Sequence, residues 1–334
     1  MTAETSQPPS LLPGLSLSLG VAAVAYLLGL QFPLVGGPVF AILIGLMISS
    51  LHRPPLALKP GLQFASKQLL QLAIILLGFG MSLRQVFVTG QESLAVMLST
   101  LLVCLLAAWF LGRAMRVEPN LIALVGAGTA ICGASAIAAV APVVRAEERQ
   151  VAYAISTIFA FNVVAVLSFP ALGHLLGFSQ QAFGLWAGTA VNDTSSVVAA
   201  AYAFGADAGA YATVVKLARS IMIIPIVLGL SALLSLRAAQ QQSRIAWTRL
   251  IPWFIVWFLV SALAVSVGLV PPLLMQWLPL LGRFLIIVAL AAVGLNADVG
   301  AIARTGWRPL ALGAILWVLV AATSVMVQRL VGQI

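Results

Sequence analysis

Charge is what this sequence has least of. Of its 334 residues only 7% are Asp, Glu, Lys or Arg, while 62% are hydrophobic; an ordinary soluble domain is about a quarter charged. A soluble protein of this length has no core large enough to hide so much apolar surface. That excludes a soluble enzyme, a disordered chain and a nucleic-acid module, and leaves the lipid bilayer as the solvent. Cysteine and histidine are almost as scarce. Cys104 and Cys132 both lie in apolar runs, and His52 and His174 are far apart, so neither a disulfide framework nor a metal-ligand spacing is present. No G-x-x-x-x-G-K-[ST] loop occurs, so no ATP-driven step is built into this chain. The opening MTAETSQPPS has no Lys or Arg, unlike a secretory signal, and the first apolar run is expected to remain in the mature protein.

What is present is a series of apolar blocks. A spanning helix needs about 20 mostly apolar residues. Eleven such segments fall at 11–30, 34–50, 61–80, 92–112, 120–143, 150–172, 181–204, 209–235, 250–269, 277–296 and 308–330. The expected fold is an all-α polytopic membrane protein with about 11 transmembrane segments. It comprises a polar tail (1–10) and one transmembrane domain (11–334). The net charge of +9 comes from basic residues scattered between blocks, which reads as topology rather than as a phosphate-binding face; no nucleic acid is expected as a partner.

Basic loops set the orientation. With the N-terminus cytoplasmic, eleven spans put Arg53, Lys59, Arg113, Arg116, Arg237, Arg244, Arg249, Arg304 and Arg308 inside, and Arg84, Arg145, Arg149 and Arg329 outside. A second topology makes 120–145 and 179–206 re-entrant hairpins, which moves Arg145 and Arg149 inside. Either both segments convert or neither does, because converting one would throw Arg237, Arg244 and Arg249 outside. Charge counting favours hairpins; uninterrupted apolar length favours broken full spans, and the full-span reading is the one carried forward.

Two segments have helix-breaking, hydroxyl-rich centres near 126–136 and 188–196. The first offers Gly128, Thr129, Cys132, Gly133 and Ser135; the second offers Thr189, Asn192, Asp193, Thr194, Ser195 and Ser196. At a shift of 60 they share Gly128/Gly188, Thr129/Thr189, Ala130/Ala190, Ser135/Ser195, Ala139/Ala199 and Ala141/Ala201. A second weak match pairs Gly78, Thr89, Gly90 and Leu94 with Gly294, Thr305, Gly306 and Leu310. The matches point to internal repeats, but the two shifts differ, so no single tandem duplication explains both. An unwound stretch at mid-membrane frees backbone groups that must face protein, water or ligand, and the N-terminus of a following half-helix is a ready anion site. Close packing of small residues is the bland alternative.

An acid at mid-span costs about 2.5–3.5 kcal/mol on insertion scales, so Asp193 demands a partner. Lys216 and Arg219, three residues apart on the next span, share one helical face. Either the three form a structural ion pair, or Asp193 neutralises one cation and the surplus charge holds an anion. Arg283, near the start of its span, can snorkel to the interface. Intramembrane proteolysis fails on inventory. Gly133-Ala-Ser135 has no histidine within a neighbouring span, and Asp193 has no second embedded acid. Cys132 reads as a packing residue placed at a break.

At these residues the chain resembles the YeiH-like sulfate exporter family of bacterial membrane proteins. The resemblance rests on GTAICGASAIAAVAPV (128–143), GLWAGTAVNDTSSVVAAAYAFG (184–205) and LLGFGMSL (76–83), and extends from the second span to the last. It implies an inner-membrane secondary transporter of the cation/proton antiporter and anion transporter superfamily, with inverted repeats and broken helices at the midplane. The chain departs from the family at Asn192-Asp193, where a His-Asp pair is common, and so lacks a histidine for any proton relay there. The expectation is therefore a non-enzymatic transporter of a small inorganic or organic anion, sulfate or sulfonate-like. Its partners would be that anion and the lipid bilayer, with no cofactor beyond a coupling Na+ or H+, and a homodimer is compatible with it. Sodium/proton exchange on Asp193 is the competing function, and a membrane scaffold or intramembrane enzyme is the third.

Overall fold

A computed structural model of the chain describes residues 10–32, 35–52, 54–237, 252–298, 300 and 304–334. Most of the N-terminal tail, together with Arg53, Arg244 and Arg249 of the charge count, lies outside the described residues. Every apolar block is helical, and no strand occurs among the described residues. In chain order the helices are α1 (Leu12–Gln31), α2 (Gly36–Leu51), α3 (Leu56–Gly78), α4 (Leu83–Ala114), α5 (Pro119–Ala130), α6 (Ala134–Val144), α7 (Glu148–Leu175), α8 (Gln180–Ala190), α9 (Thr194–Phe204), α10 (Ala206–Ile221), α11 (Ile223–Arg237), α12 (Trp253–Ser266), α13 (Pro272–Leu295) and α14 (Trp307–Leu330).

Seven of these segments are long and apolar enough to cross a bilayer, α10 running on into α11 as one of them. Contacts between helix ends show which ends share a face. A β-carbon on Gly14 would stand 2.8 Å from the Gly61 Cα, so α1 and α3 start together on a first face. The shorter α2, which joins them, therefore crosses back. At the second face the Leu83 N–H donates to Ser266 Oγ at 2.7 Å, and Gln333 donates to the Glu92 carbonyl at 2.9 Å. The start of α4, the end of α12 and the end of α14 thus lie together.

The segments 119–144 and 180–204 do not cross. Glu118, which precedes α5, accepts from Arg149 at the start of α7 at 3.5 Å and also from Gln150; Asn120 donates to Gln150 at 3.4 Å. The entry of α5 and the exit of α6 are therefore neighbours on the first face. Likewise Gln180, opening α8, accepts from the N–H groups of Asp207 and Ala208, which open α10, at 2.9 and 3.1 Å. Both segments are re-entrant hairpins, which corrects the full-span reading: two arms of 12 and 11 residues add up to the apolar length of one span. Each arm runs only about 16–18 Å at 1.5 Å per residue, enough to reach the middle of a hydrocarbon core about 30 Å thick.

Only α7 separates the hairpins, and it crosses from the first face to the second. Hairpin α5–α6 accordingly dips in from the first face and hairpin α8–α9 from the second. Their arms coincide at the shift of 60: α6 covers 134–144 and α9 covers 194–204. The faint residue match thus falls on corresponding arms of two hairpins that enter from opposite faces. Gly78 and Gly294 of the second match end α3 and α13, which run antiparallel. The core follows the hairpins. One buried cluster gathers α5, α6, α7, α8 and α14 with parts of their neighbours; a second joins α1, α2, α3 and α13 to Val198, Ala199 and Ala203 of α9.

Candidate functional site at the hairpin tips

The tips meet. In the first hairpin Gly133 holds φ +65° and ψ −125°, a conformation open to glycine because a β-carbon clashes with the backbone there. A β-carbon on it would lie 3.5 Å from Asp193 Cβ and 3.7 Å from the Asn192 carbonyl oxygen. In the second hairpin the chain turns extended at Val191 and again at Asp193, breaking α8 from α9.

Each break orphans the last carbonyls of the preceding half-helix, where the helix dipole is negative. The two buried cations of α10 fill these positions. Lys216 donates to Ile131 O at 2.9 Å, to Val191 O at 3.0 Å and to Asn192 O. Those are all three N–H bonds of an ammonium. Arg219 donates from Nε to Ala130 O at 2.8 Å, from one terminal nitrogen to Thr129 O at 2.9 Å, and from the other to Thr189 O. One face of α10 therefore caps both hairpins at once. Both side chains are 0% exposed.

The expected pairing of Asp193 with Lys216 or Arg219 is not made: among the described residues no contact within 4.0 Å joins them. Asp193 is instead the N-cap of α9. Its carboxylate accepts from the Ser195 hydroxyl, and from the Ser196 N–H and hydroxyl at 3.3 Å each. The acid sits at a positive helix end and the cations at negative ones, so each answers a dipole rather than the other. Lys216 has no donor left for a ligand, and neither expected arrangement, an ion pair or an acid that neutralises one of the two cations, is formed.

Other expected site residues divide in two groups. Ser135 is exposed and Asp193 and Thr194 are half-buried, so these three reach the open side of the tips. Cys132 is buried at the first break, with the Ala136 N–H directed at its sulfur. Gly128 is turned away, against the side chains of Ile137 and Ile158. The Thr189 hydroxyl is also turned away, bonded to Leu185 O at 2.7 Å and to Ser324 Oγ of α14 at 2.7 Å; both are supports. Two buried polar groups at the tips have no protein partner among the described residues: the Asn192 carboxamide and the Thr129 hydroxyl. Arg283, expected at the interface, lies over the Tyr202 ring at 5.5 Å.

Sequence reasoning missed Asn162. From α7 its Oδ1 accepts the N–H groups of Asn192 and Asp193 at 3.2 and 3.3 Å, holding the second break open. An asparagine inside 150–172 was the signal for it. Ser324 and Gln328, linked at 3.2 Å on α14, were missed for the same reason. So was Lys67, midway along α3. Among the described residues no group of three His, Cys, Asp or Glu could hold a metal.

Two opposed hairpins meeting inside a helical bundle define a polytopic membrane protein. The family model described as conserved hypothetical protein 698 matches residues 13–313, and the chain belongs to that family. It is 42% identical to a UPF0324 membrane protein of Streptococcus pyogenes serotype M6, over 96% of this chain and 97% of the relative. It is 39% identical to one of Streptococcus agalactiae serotype V, over 96% and 98%, and 42% identical to one of Streptococcus pneumoniae, over 96% and 97%.

Proposed function

We propose that the chain is a secondary transporter of a small anion, sulfate or a sulfonate, working by alternating access in the bacterial inner membrane with its N-terminus in the cytoplasm. The observation that carries this reading is the open N-terminus of α6. Its first intrahelical bond is Ile137 N–H to Gly133 O, and Gly133 provides no side-chain cap. The N–H groups of Ala134 and Ser135 therefore stand free at an exposed, positive helix end, next to the Ser135 hydroxyl. Charge points the same way: two buried cations face one acid, so the tips keep a surplus positive charge that favours an anion. The orphaned Asn192 amide and Thr129 hydroxyl would complete its coordination. Asp193, Ser195 and Ser196 offer oxygens to a coupling Na+ or H+. The resemblance to sulfate exporters supports the same substrate class.

Purified protein in proteoliposomes should take up labelled sulfate or a sulfonate, and the same anion should raise its melting temperature as it passes its Kd. Ser135→Ala should weaken both effects while leaving the fold intact. If no anion of this class is moved or bound, the proposal falls. A second reading, sodium/proton exchange, draws on the absence, among the described residues, of any cation within ion-pair distance of Asp193. It expects sodium-dependent proton movement without an anion, abolished by Asp193→Asn.

A further inference from the structure

Helix α3 is the least apolar of the seven long segments, with a mean hydropathy of 1.2. Lys67 stands midway along its 23 residues. Gln63, Lys67, Gln68 and Gln71 are all exposed, and no hydrogen bond or ion pair engages the Lys67 ammonium among the described residues. The first face, marked by the start of α1 beside Gly61, is about 9 Å from Lys67 along the axis at 1.5 Å per residue, and Gln71 lies a further turn in. A stripe of ammonium and amides at this depth is too costly to face hydrocarbon and needs water, ligand or protein. The backbone is irregular at the same place: Ala65–Leu69 form a π-helical turn around Lys67, a distortion enriched at functional sites.

The surroundings point toward the hairpin tips. Leu70 and Ile74, one and two turns beyond Lys67, belong to the same apolar cluster as Val214 and Leu217 of α10, which stand on either side of Lys216. On the hairpin side α6 exposes Ala134, Ser135, Ala138 and Pro142, a lane from the tip to the first face. We infer that Gln63, Lys67 and Gln71 form the polar wall of a water-filled approach from the first face to the tips, with Lys67 the free ammonium that an anion meets on the way. The assignment rests on the anion reading above and moves the mobile positive charge from α10, where every Lys216 donor is engaged, to α3.

Accessibility tests the wall independently of transport. Lys67→Cys in the full-length chain should react in membranes with a charged, membrane-impermeant methanethiosulfonate, whereas Leu102→Cys, on an exposed apolar position of α4, should not. The native cysteines are buried and set a low background. An unreactive Lys67→Cys, or one that forms a disulfide with a second copy, overturns the inference, because the stripe would then face lipid or another subunit. Transport tests the charge. With sulfate as the probe, Lys67→Gln should lower the initial uptake rate at least tenfold and Lys67→Arg should restore most of it, with both variants melting as the parent does. Uptake unchanged in Lys67→Gln removes the anion contact. If the parent itself moves no anion, the proposed function fails while the labelling result still decides whether α3 lines a water path.

Discussion

Lys216 and Ile131 are 85 residues apart in sequence and 2.9 Å apart in space, joined by an ammonium-to-carbonyl hydrogen bond. The bond ties α10, the helix that follows the second hairpin, to the broken end of the first. Lys216→Met should therefore behave as a folding defect before it behaves as a transport defect. It strands three buried carbonyls, and removing one partner of a buried charged cluster costs about 3–5 kcal/mol. Thermal unfolding in detergent should show a large fall in melting temperature. Lys216→Arg, which keeps a cation and donors, should recover part of it. A Met variant as stable as the parent would contradict the capping role.

The hairpin topology makes a geometric forecast. Glu118→Cys combined with Arg149→Cys should be bridged by a bifunctional thiol reagent long enough to replace the two side chains, because their charged ends meet at 3.5 Å on one face. A full span at 120–143 would hold these positions on opposite sides of the bilayer, and no crosslink would form. Arg149→Ala alone should change stability by less than about 1 kcal/mol, since both partners are more than half exposed.

Most of this fold is legible in the sequence, and the exceptions have physical causes. Apolar length marks every helix, but it cannot separate one crossing from two half-length arms, because hydrophobicity carries no sign for direction. Charge leaned the right way: placing Arg145 and Arg149 with the other basic loops favours the hairpin reading. The two hairpins match at six aligned positions, faint because small residues are interchangeable where backbones pack closely. At the tips, counting ions identified Asp193, Lys216 and Arg219. Their partners stayed hidden, because the groups they answer are main-chain carbonyls freed at Thr129, Ala130, Ile131, Val191 and Asn192, and a backbone carbonyl has no letter in the sequence. Asn162 and Lys67 were visible as polar residues inside apolar runs, but isolated ones.

Asn162 should prove to be a positioning residue. Asn162→Leu leaves the N–H groups of Asn192 and Asp193 buried without an acceptor, at a cost of about 1–3 kcal/mol. Hydrogen exchange of the peptide covering 190–194 should accelerate, while peptides in α13 remain protected. Unchanged exchange at 192–193 would show that another group holds the break.

Gly133 tests the shape of the first tip. Gly133→Ala places a β-carbon on a backbone with positive φ, 3.3 Å from an Ile158 methyl. Such a conformation costs a non-glycine residue about 1–3 kcal/mol. The variant should melt lower than the parent and lose anion-dependent stabilisation. Gly229→Ala, in open space on α11, should do neither.

Since Lys216 and Arg219 sit on adjacent turns of one rigid rod and hold the ends of both re-entrant loops, neither loop can retract without stripping partners from a fully buried cation. In the transporter proposed above, a stroke that exchanges access between the two sides would have to shift both ends and α10 as a single block, so the cargo cradle would travel intact instead of opening like a pair of jaws.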